Sequence, residues 1–250
     1  MNYIKKIIYC KNKKNQKIYG EAFIPNSKEK FPLIIFSHGY GDNGSFIDEE
    51  RLASNGISVY KFDFCGGSNH SRSEGKSTEM SVMTEVDDLE CVLDQIKKQD
   101  FVDENKIYLS GCSQGGLVTL IVGEKKQDEL KGLILYCAGL AILDYYEPHM
   151  KTKNKTESFR LINMMITRKY FDDIINLDVY KTIENIKIPF LYYHGDKDEC
   201  VSVNYAYQAK KYFNDKGKLI ILKNASHMLC FGNEDRLFSD IINFIKKNQL

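Results

Sequence analysis

A serine in a glycine-rich turn is the strongest candidate for nucleophilic chemistry in this sequence. Ser113 is the centre of Gly111-Cys112-Ser113-Gln114-Gly115, which follows an apolar run and precedes a helical pattern. This is the strand–turn–helix setting of the Gly-x-Ser-x-Gly motif. A serine in so sharp a turn adopts a strained backbone, and small residues two positions away prevent collisions. Ser113 is therefore the candidate nucleophile, with an ordinary glycine-rich turn as the alternative.

A serine nucleophile requires a base and an acid, and candidates for both occur downstream. The base must take the hydroxyl proton, and the acid must hold the base in one tautomer. Asp198 lies in the turn after a predicted strand at 190–194, and His227 lies in the loop after one at 219–222. Taken singly, each residue has an ordinary structural explanation. The prediction of a triad rests on the order and placement of all three.

An oxyanion formed by attack on a carbonyl group needs preorganised backbone N–H donors. The loop after the predicted strand 33–37 supplies one candidate, the N–H of Tyr40, and the residue after the nucleophile supplies the other, the N–H of Gln114. His38 precedes a glycine turn in the same loop, which indicates an architectural role rather than that of the base. The sequence thus predicts an oxyanion hole built by Tyr40 and Gln114.

The overall composition argues against several other classes of protein. Of 250 residues, 35 are Lys or Arg and 34 are Asp or Glu, and the formal net charge of +1 gives no reason to expect a nucleic-acid partner. No apolar stretch reaches membrane-spanning length, and the first ten residues lack the pattern of a secretory signal. We therefore expect a cytoplasmic protein with no membrane partner.

The seven cysteines are scattered singly, without a Cys-x-x-Cys pair or the spacing of a zinc site. They are typical of free thiols in a reducing compartment, and the sequence indicates neither a metal nor an organic cofactor. Cys65, Cys112 and Cys230 lie near the loops expected to converge on Ser113. Both a redox sensor and inert packing residues remain open as interpretations of these three.

Apolar runs alternate with helical patterns along the chain. This alternation predicts an α/β fold with a mostly parallel central sheet of about eight strands and helices on both faces. The predicted strands are 17–24, 33–37, 58–62, 106–110, 132–136, 190–194 and 219–222, with 3–10 as an antiparallel edge strand. The predicted helices are 47–55, 80–99, 114–126, 203–214 and 233–247.

Residues 138–187 interrupt this alternation, because about fifty residues pass without a convincing buried strand. Such a length is unusual for a connection within a compact domain. Apolar and aromatic residues, Tyr146 among them, recur at roughly helical spacing and argue against disorder. We predict a single domain over residues 1–250, with 138–187 as an inserted, partly helical cap. Helices that merely pack against the sheet are the alternative.

Together these motifs resemble the α/β-hydrolase superfamily over essentially the whole chain. The residues that carry the resemblance are His38-Gly39, the turn at Ser113, the stretch His194-Gly195-Asp196-Lys197-Asp198, and His227. The resemblance implies the α/β-hydrolase fold and an acyl-enzyme mechanism. It also implies Asp198 rather than its neighbour Asp196 as the acid, and the two N–H donors named above.

Within the superfamily, the chain is similar to the bacterial cinnamoyl and feruloyl esterase-like group. The similarity lies in Phe62-Asp63-Phe64, in residues 80–88 and in the inserted cap, whereas residues 65–71 depart from the Gly-His-Gly-x-Ser type common in that group. It implies a serine esterase acting on small-molecule esters, with hydroxycinnamoyl (feruloyl-type) esters as the substrate class. Dimers are common among relatives with a cap, so a homodimer is one expected arrangement.

The same triad supports other chemistry, because it activates a nucleophile without choosing the acyl or leaving group. A serine peptidase of the aminopeptidase type is the nearest alternative, followed by a thioesterase, a lipase-like enzyme or an acyltransferase. A non-catalytic binding protein with this fold is a further alternative. Such a protein would usually lose a triad residue, and none is missing from this sequence.

Overall fold

The computed structural model describes residues 2–44, 46–145 and 154–248, which form ten strands. The strands are β1 (Tyr3–Lys11), β2 (Lys17–Pro25), β3 (Phe31–Ser37), β4 (Ser58–Phe62), β5 (Val102–Cys112), β6 (Gly132–Tyr136), β7 (Ser158–Leu161), β8 (Met164–Thr167), β9 (Phe190–Gly195) and β10 (Gly217–Leu222). Eight of them form one sheet in the order β1-β2-β4-β3-β5-β6-β9-β10. The predicted sheet of about eight strands is confirmed.

The central sheet is parallel except at β2, which runs antiparallel to both β1 and β4. The middle strands β3 and β6 are buried along their whole length. Helices cover both faces of a sheet of this kind, so its middle strands are continuous apolar runs rather than alternating ones. This explains why the apolar runs of the sequence located the strands.

Helices form a layer on each face of the sheet. They are α1 (Glu49–Ser54), α2 (Val82–Ile96), α3 (Ser113–Lys125), α4 (Lys169–Asp172), α5 (Val179–Asn185), α6 (Val203–Lys210) and α7 (Glu234–Lys247). Buried residues of α1 and α7 share one apolar core, and those of α2, α3 and α6 share the core on the other face. None of the helices in the described residues has the length and apolar character of a membrane span.

Several element boundaries differ from those predicted. Strand β5 begins at Val102, ahead of the predicted start at 106. The apolar pattern missed its first part because that part carries the polar residues Asp103, Glu104 and Asn105 and is partly exposed. Helix α2 begins at Val82, where Ser81 and Thr84 form a reciprocal capping box that fixes the first turn. Helix α6 ends at Lys210, earlier than predicted. Apolar spacing alone does not mark such ends.

The cap segment, residues 138–187, lies between β6 and β9. Its described part contains a 3₁₀ helix (Ile142–Tyr145), the antiparallel hairpin of β7 and β8, and the helices α4 and α5. The hairpin was not predicted. Buried residues of β8 and α4 belong to the same apolar core as α2 and α3. Residues 146–153, including Tyr146, lie outside the described residues, and the division into domain and cap stays a prediction.

Candidate active site

Ser113 lies at the junction of β5 and α3 with a backbone φ of 49°. This left-handed conformation is strained for a residue with a side chain. The flanking glycines are required by close approach, since a Cβ atom on Gly111 would lie 2.3 Å from the carbonyl oxygen of Gly115. A Cβ atom on Gly115 would lie 2.3 Å from the carbonyl oxygen of His38. The predicted sharp turn is therefore present at Ser113.

The loop that carries His38 and Tyr40 packs directly against this turn. A Cβ atom on Gly39 would lie 3.2 Å from the Cβ atom of Ser113. His38 is buried; its Nδ1 donates to the carbonyl oxygen of Gly39 at 2.7 Å, and its Nε2 accepts from the N–H of Phe64 at 3.0 Å. Burial lowers the pKa of His38, which keeps the ring neutral. Both ring nitrogens are thus engaged in holding the loop.

Asp198 and His227 are joined by a hydrogen bond. The Nδ1 atom of His227 lies 2.8 Å from Oδ2 and 3.0 Å from Oδ1 of Asp198, whose side chain is buried. The N–H groups of Cys200 and Val201 donate to Oδ1 at 2.9 and 2.7 Å, and Nε2 of His194 lies 3.3 Å from Oδ2. The carboxylate therefore has donors on both oxygens.

Two opposing effects act on the acidity of Asp198. Burial raises the pKa of its carboxyl group, but hydrogen bonds from His194, His227 and the N–H of Val201 lower it more. The net result is a pKa well below the usual value, so Asp198 is ionised at neutral pH. An ionised acceptor at Nδ1 fixes the proton of His227 on that nitrogen and leaves Nε2 as the basic one.

Asp196 occupies a different position in the same turn. Its Oδ1 atom accepts a hydrogen bond of 2.6 Å from the N–H of Asn224, which has a positive φ of 58° in the loop leading to His227. Asp196 thus braces that loop. Of the two aspartates weighed in the sequence, Asp198 is the one that contacts His227.

A cavity of about 290 Å³ brings four of the predicted site residues together. Ser113, His227, Tyr40 and Gln114 all line it. Within the described residues, the ring of His227 bonds to Asp198 and forms no hydrogen bond with the hydroxyl of Ser113. Such bonds are often long without a substrate. Because Asp198 bonds to His227, all five residues predicted from the sequence meet at one site.

Most of the cavity wall is apolar. Its other described lining residues are Gly139, Ile142, Tyr145, Leu161, Ile162, Tyr170, Phe171, Cys200 and Val201. Four of these residues belong to the cap segment after its 3₁₀ helix. Leu161 lies in β7, Ile162 in the turn between β7 and β8, and Tyr170 and Phe171 in α4. An apolar wall beside a few convergent polar groups is typical of small-molecule sites.

Only one group of side chains in the described residues has the donor spacing of a metal site. Potential ligand atoms of Cys137, Asp198 and His227 lie within 4.8 Å of one another. Burial raises the pKa of the Cys137 thiol well above its usual value, and Nδ1 of His227 is already bonded to Asp198. The Cys137 thiol donates to the carbonyl oxygen of His227 at 3.4 Å, so these side chains already have partners within the triad and the residues packed against it.

The three cysteines considered as redox sensors differ in exposure. Cys65 and Cys112 are buried, and burial raises the pKa of both thiols. Cys230 is partly exposed, and burial also raises its pKa. Because oxidation requires an accessible thiolate, these environments favour packing over redox sensing.

Sequence reasoning missed a buried carboxyl group beside the site. Glu85 on α2 accepts a hydrogen bond from the side chain of Gln114, and Tyr170 of the cap segment donates to the same side chain. Glu85 lies three residues after Val82 and four before Leu89, on the apolar face of α2. That position on a buried face was the signal in the sequence that could have identified it.

The family model described as "Serine aminopeptidase, S33" matches residues 28–175, more than half of the chain. The chain belongs to this family. It is therefore a hydrolase of the α/β type, as the motifs implied.

Two curated relatives match part of the chain. Caffeoylshikimate esterase of Arabidopsis thaliana is 27% identical over 133 residues, which is 52% of this chain and 39% of that protein. Proline iminopeptidase of Chitinophaga pinensis is 31% identical over 110 residues, 44% of this chain and 35% of that protein. The matches thus span less than two fifths of the length of these relatives.

The fold of this chain is similar to that of solved structures. Est1E of Butyrivibrio proteoclasticus with ferulic acid bound superposes with a TM-score of 0.78 at 22% identity, covering 94% of this chain and 99% of Est1E. The α/β-hydrolase fold predicted from the motifs is confirmed by this likeness. At this level of identity the comparison extends to the fold and no further.

Proposed function

We propose that this protein is a serine esterase that hydrolyses small carboxylic esters through an acyl-enzyme intermediate. The observation that carries the proposal is the bond between Asp198 and Nδ1 of His227, beside a serine with the strained backbone of a nucleophile. An oriented imidazole that shares a cavity with a partly exposed serine hydroxyl is the arrangement that activates serine at neutral pH.

In the proposed reaction, the Oγ atom of Ser113 attacks the acyl carbon while Nε2 of His227 accepts the hydroxyl proton. The N–H groups of Tyr40 and Gln114 bind the oxyanion. Gln114 lies in the first turn of α3, where N–H groups lack partners within the helix and the helix dipole favours negative charge. The ester C–O bond then breaks as His227 protonates the leaving oxygen, which departs as the alcohol. Water attacks the acyl-enzyme while His227 accepts its proton, and the acid is released as that proton returns to Oγ of Ser113.

The cavity supports an ester rather than an aminoacyl amide as the substrate. An aminopeptidase must bind the ammonium group of its substrate, and burying that charge requires an opposite charge or strong acceptors. None of the described residues that line the cavity is Asp or Glu. The apolar wall instead fits an uncharged acyl group.

Hydroxycinnamoyl esters are the substrate class that we propose. Aromatic rings of Tyr40, Tyr170 and Phe171 line the cavity, and aromatic acyl groups pack favourably against such rings. The structural likeness to Est1E with ferulic acid bound and the sequence match to caffeoylshikimate esterase support the same choice.

A serine peptidase is the second candidate, supported by the family and by the match to proline iminopeptidase. A substrate panel separates the two: p-nitrophenyl butyrate and methyl ferulate against proline and alanine p-nitroanilides. We expect turnover of both esters and kcat/KM values for the anilides at least about 100-fold lower than for p-nitrophenyl butyrate. Cleavage of the anilides without ester turnover would establish the peptidase instead.

A further inference from the structure

The side chains of the two proposed oxyanion residues are both bonded to the cap segment. The hydroxyl of Tyr40 donates to the carbonyl oxygen of Leu161 in β7 at 2.9 Å. The hydroxyl of Tyr170 in α4 donates to Oε1 of Gln114. The proposed reaction uses only the backbone N–H groups of Tyr40 and Gln114, so these side-chain bonds serve another purpose.

The amide of Gln114 is bonded at its other end to the carboxyl group of Glu85. Nε2 of Gln114 donates to Oε2 of Glu85 at 2.7 Å. Glu85 and Gln114 are each 1% exposed, and Tyr170 is 2% exposed. Hydrogen bonds in so dry an environment hold their partners in one geometry, because breaking one leaves a buried polar group without a partner.

A carboxyl group at the position of Glu85 is unfavourable for folding. Burial raises the pKa of Glu85 well above its usual value; the hydrogen bond from Gln114 lowers it by less, and the nearby charge of Asp88 raises it further. An apolar side chain of similar size would avoid this desolvation. A costly polar group that bonds to Gln114, the residue after the nucleophile, indicates a function rather than a packing role.

Tyr40 and Gln114 are also connected to each other, because Tyr170, which bonds to Gln114, contacts Tyr40. The rings of Tyr40 and Tyr170 are in edge-to-face contact, with centroids 5.6 Å apart and planes at 75°. A chain of contacts thus runs from Glu85 through Gln114 and Tyr170 to Tyr40. It connects α2, the nucleophile turn, the cap segment and the loop after β3.

We infer that Glu85 and Tyr170 are positioning residues, which hold Gln114 and Tyr40 so that the cap segment sets the geometry of the oxyanion hole. The inference rests on the proposed function, since the oxyanion hole is part of it. Donors stabilise an oxyanion only within a narrow range of distances, and a small displacement of a catalytic group lowers the rate steeply. The cap segment would thereby contribute to the chemical step as well as to binding.

The first test compares Tyr170→Phe with Tyr205→Phe. Tyr205 is the matched control because its hydroxyl bonds to Asp144, away from Gln114. Active sites are counted with a fluorophosphonate, and kcat and KM for p-nitrophenyl butyrate are measured per active site. We expect Tyr170→Phe to lower kcat about tenfold with KM nearly unchanged, and to weaken a boronic acid inhibitor, which mimics the tetrahedral intermediate, in parallel. Tyr205→Phe should leave all three values within about twofold.

The second test asks whether the hydrogen bond at Glu85 is what matters. Glu85→Gln keeps an acceptor for Nε2 of Gln114, whereas Glu85→Leu removes it. We expect kcat per active site close to the unaltered value in Glu85→Gln and about tenfold lower in Glu85→Leu. A purely structural role would lower the melting temperature and the number of active sites in Glu85→Leu, but not its kcat per site.

The outcomes separate this inference from the proposed function. Turnover that depends on Ser113, combined with unchanged kcat and boronic acid affinity in Tyr170→Phe and Glu85→Leu, would overturn the positioning role alone. No Ser113-dependent turnover in the unaltered protein would overturn both.

Discussion

Nδ1 of His227 lies 2.8 Å from Oδ2 of Asp198, across 29 residues of chain and at the ends of adjacent parallel strands. The pair forms because β9 and β10 end at the same edge of the sheet, so the turn after one meets the loop after the other. This relationship decides which aspartate of the turn orients the imidazole, and it leads to the first prediction.

Replacing Asp198 with Asn should lower kcat by about 10⁴-fold, because an amide leaves the imidazole in the wrong tautomer. Asp196→Asn is the matched control in the same turn, since Asp196 bonds to the N–H of Asn224 instead. Its kcat should stay within a few fold of the unaltered protein. Steady-state hydrolysis of p-nitrophenyl butyrate measures both, and a larger loss in Asp196→Asn than in Asp198→Asn would reverse the assignment.

The two histidines near Ser113 should respond oppositely to truncation. His38→Ala leaves the buried N–H of Phe64 without its acceptor, so we expect a loss of about 2–4 kcal/mol of unfolding free energy. His227 is partly exposed, and His227→Ala should instead abolish turnover with little loss of stability. Urea unfolding and ester hydrolysis are measured on both variants. A stable His38→Ala protein without activity would contradict the architectural role.

Gly111, two residues before the nucleophile, should not tolerate any side chain. In Gly111→Ala the new Cβ would lie 2.3 Å from a backbone oxygen, and we expect a loss of about 3 kcal/mol in unfolding free energy. Gly232→Ala is the control: its φ is 75° but nothing lies within 4 Å of the new Cβ, so only backbone strain of about 1 kcal/mol is expected. Equal losses in urea unfolding would argue against close packing at the turn.

The buried carboxyl group of Glu85 should make stability depend on pH. Burial raises its pKa in the folded state above the usual value of 4.5. Between that value and the raised pKa, the folded state binds a proton that the unfolded state has lost, so stability falls as pH rises, by at most about 1.4 kcal/mol per pH unit. Glu85→Gln lacks this loss. Relative to the unaltered protein, the variant should therefore gain unfolding free energy from pH 5 to pH 8; a constant difference would show that Glu85 is not neutral.

Local motifs account for the parts of the structure that the sequence predicted well. The turn at Ser113 depends on neighbouring glycines, and buried strands such as β3 are apolar runs, so both could be identified from short stretches of chain. The ends of α6 and β5 depend on polar residues and tertiary contacts, which apolar spacing does not record. The hairpin of β7 and β8 was missed because each strand has only four residues.

Contacts between distant residues account for what was missed at the site. Gln114 bonds to Glu85 and Tyr170, which lie 29 and 56 residues away. A single sequence contains no record of which distant residues meet. The cytoplasmic location, the absence of nucleic-acid and membrane partners, and the homodimer stay predictions.

Replacing Ser113 with Ala tests the account most directly, because it removes one oxygen atom at a partly exposed position. Hydrolysis of p-nitrophenyl butyrate and methyl ferulate is followed for both proteins, and intact mass after brief mixing reports the acyl-enzyme. We expect a loss of at least about 10⁴-fold in kcat and an acyl adduct on the unaltered protein only. Retention of ester hydrolysis, or the same adduct on Ser113→Ala, would contradict the proposal that Ser113 is the nucleophile.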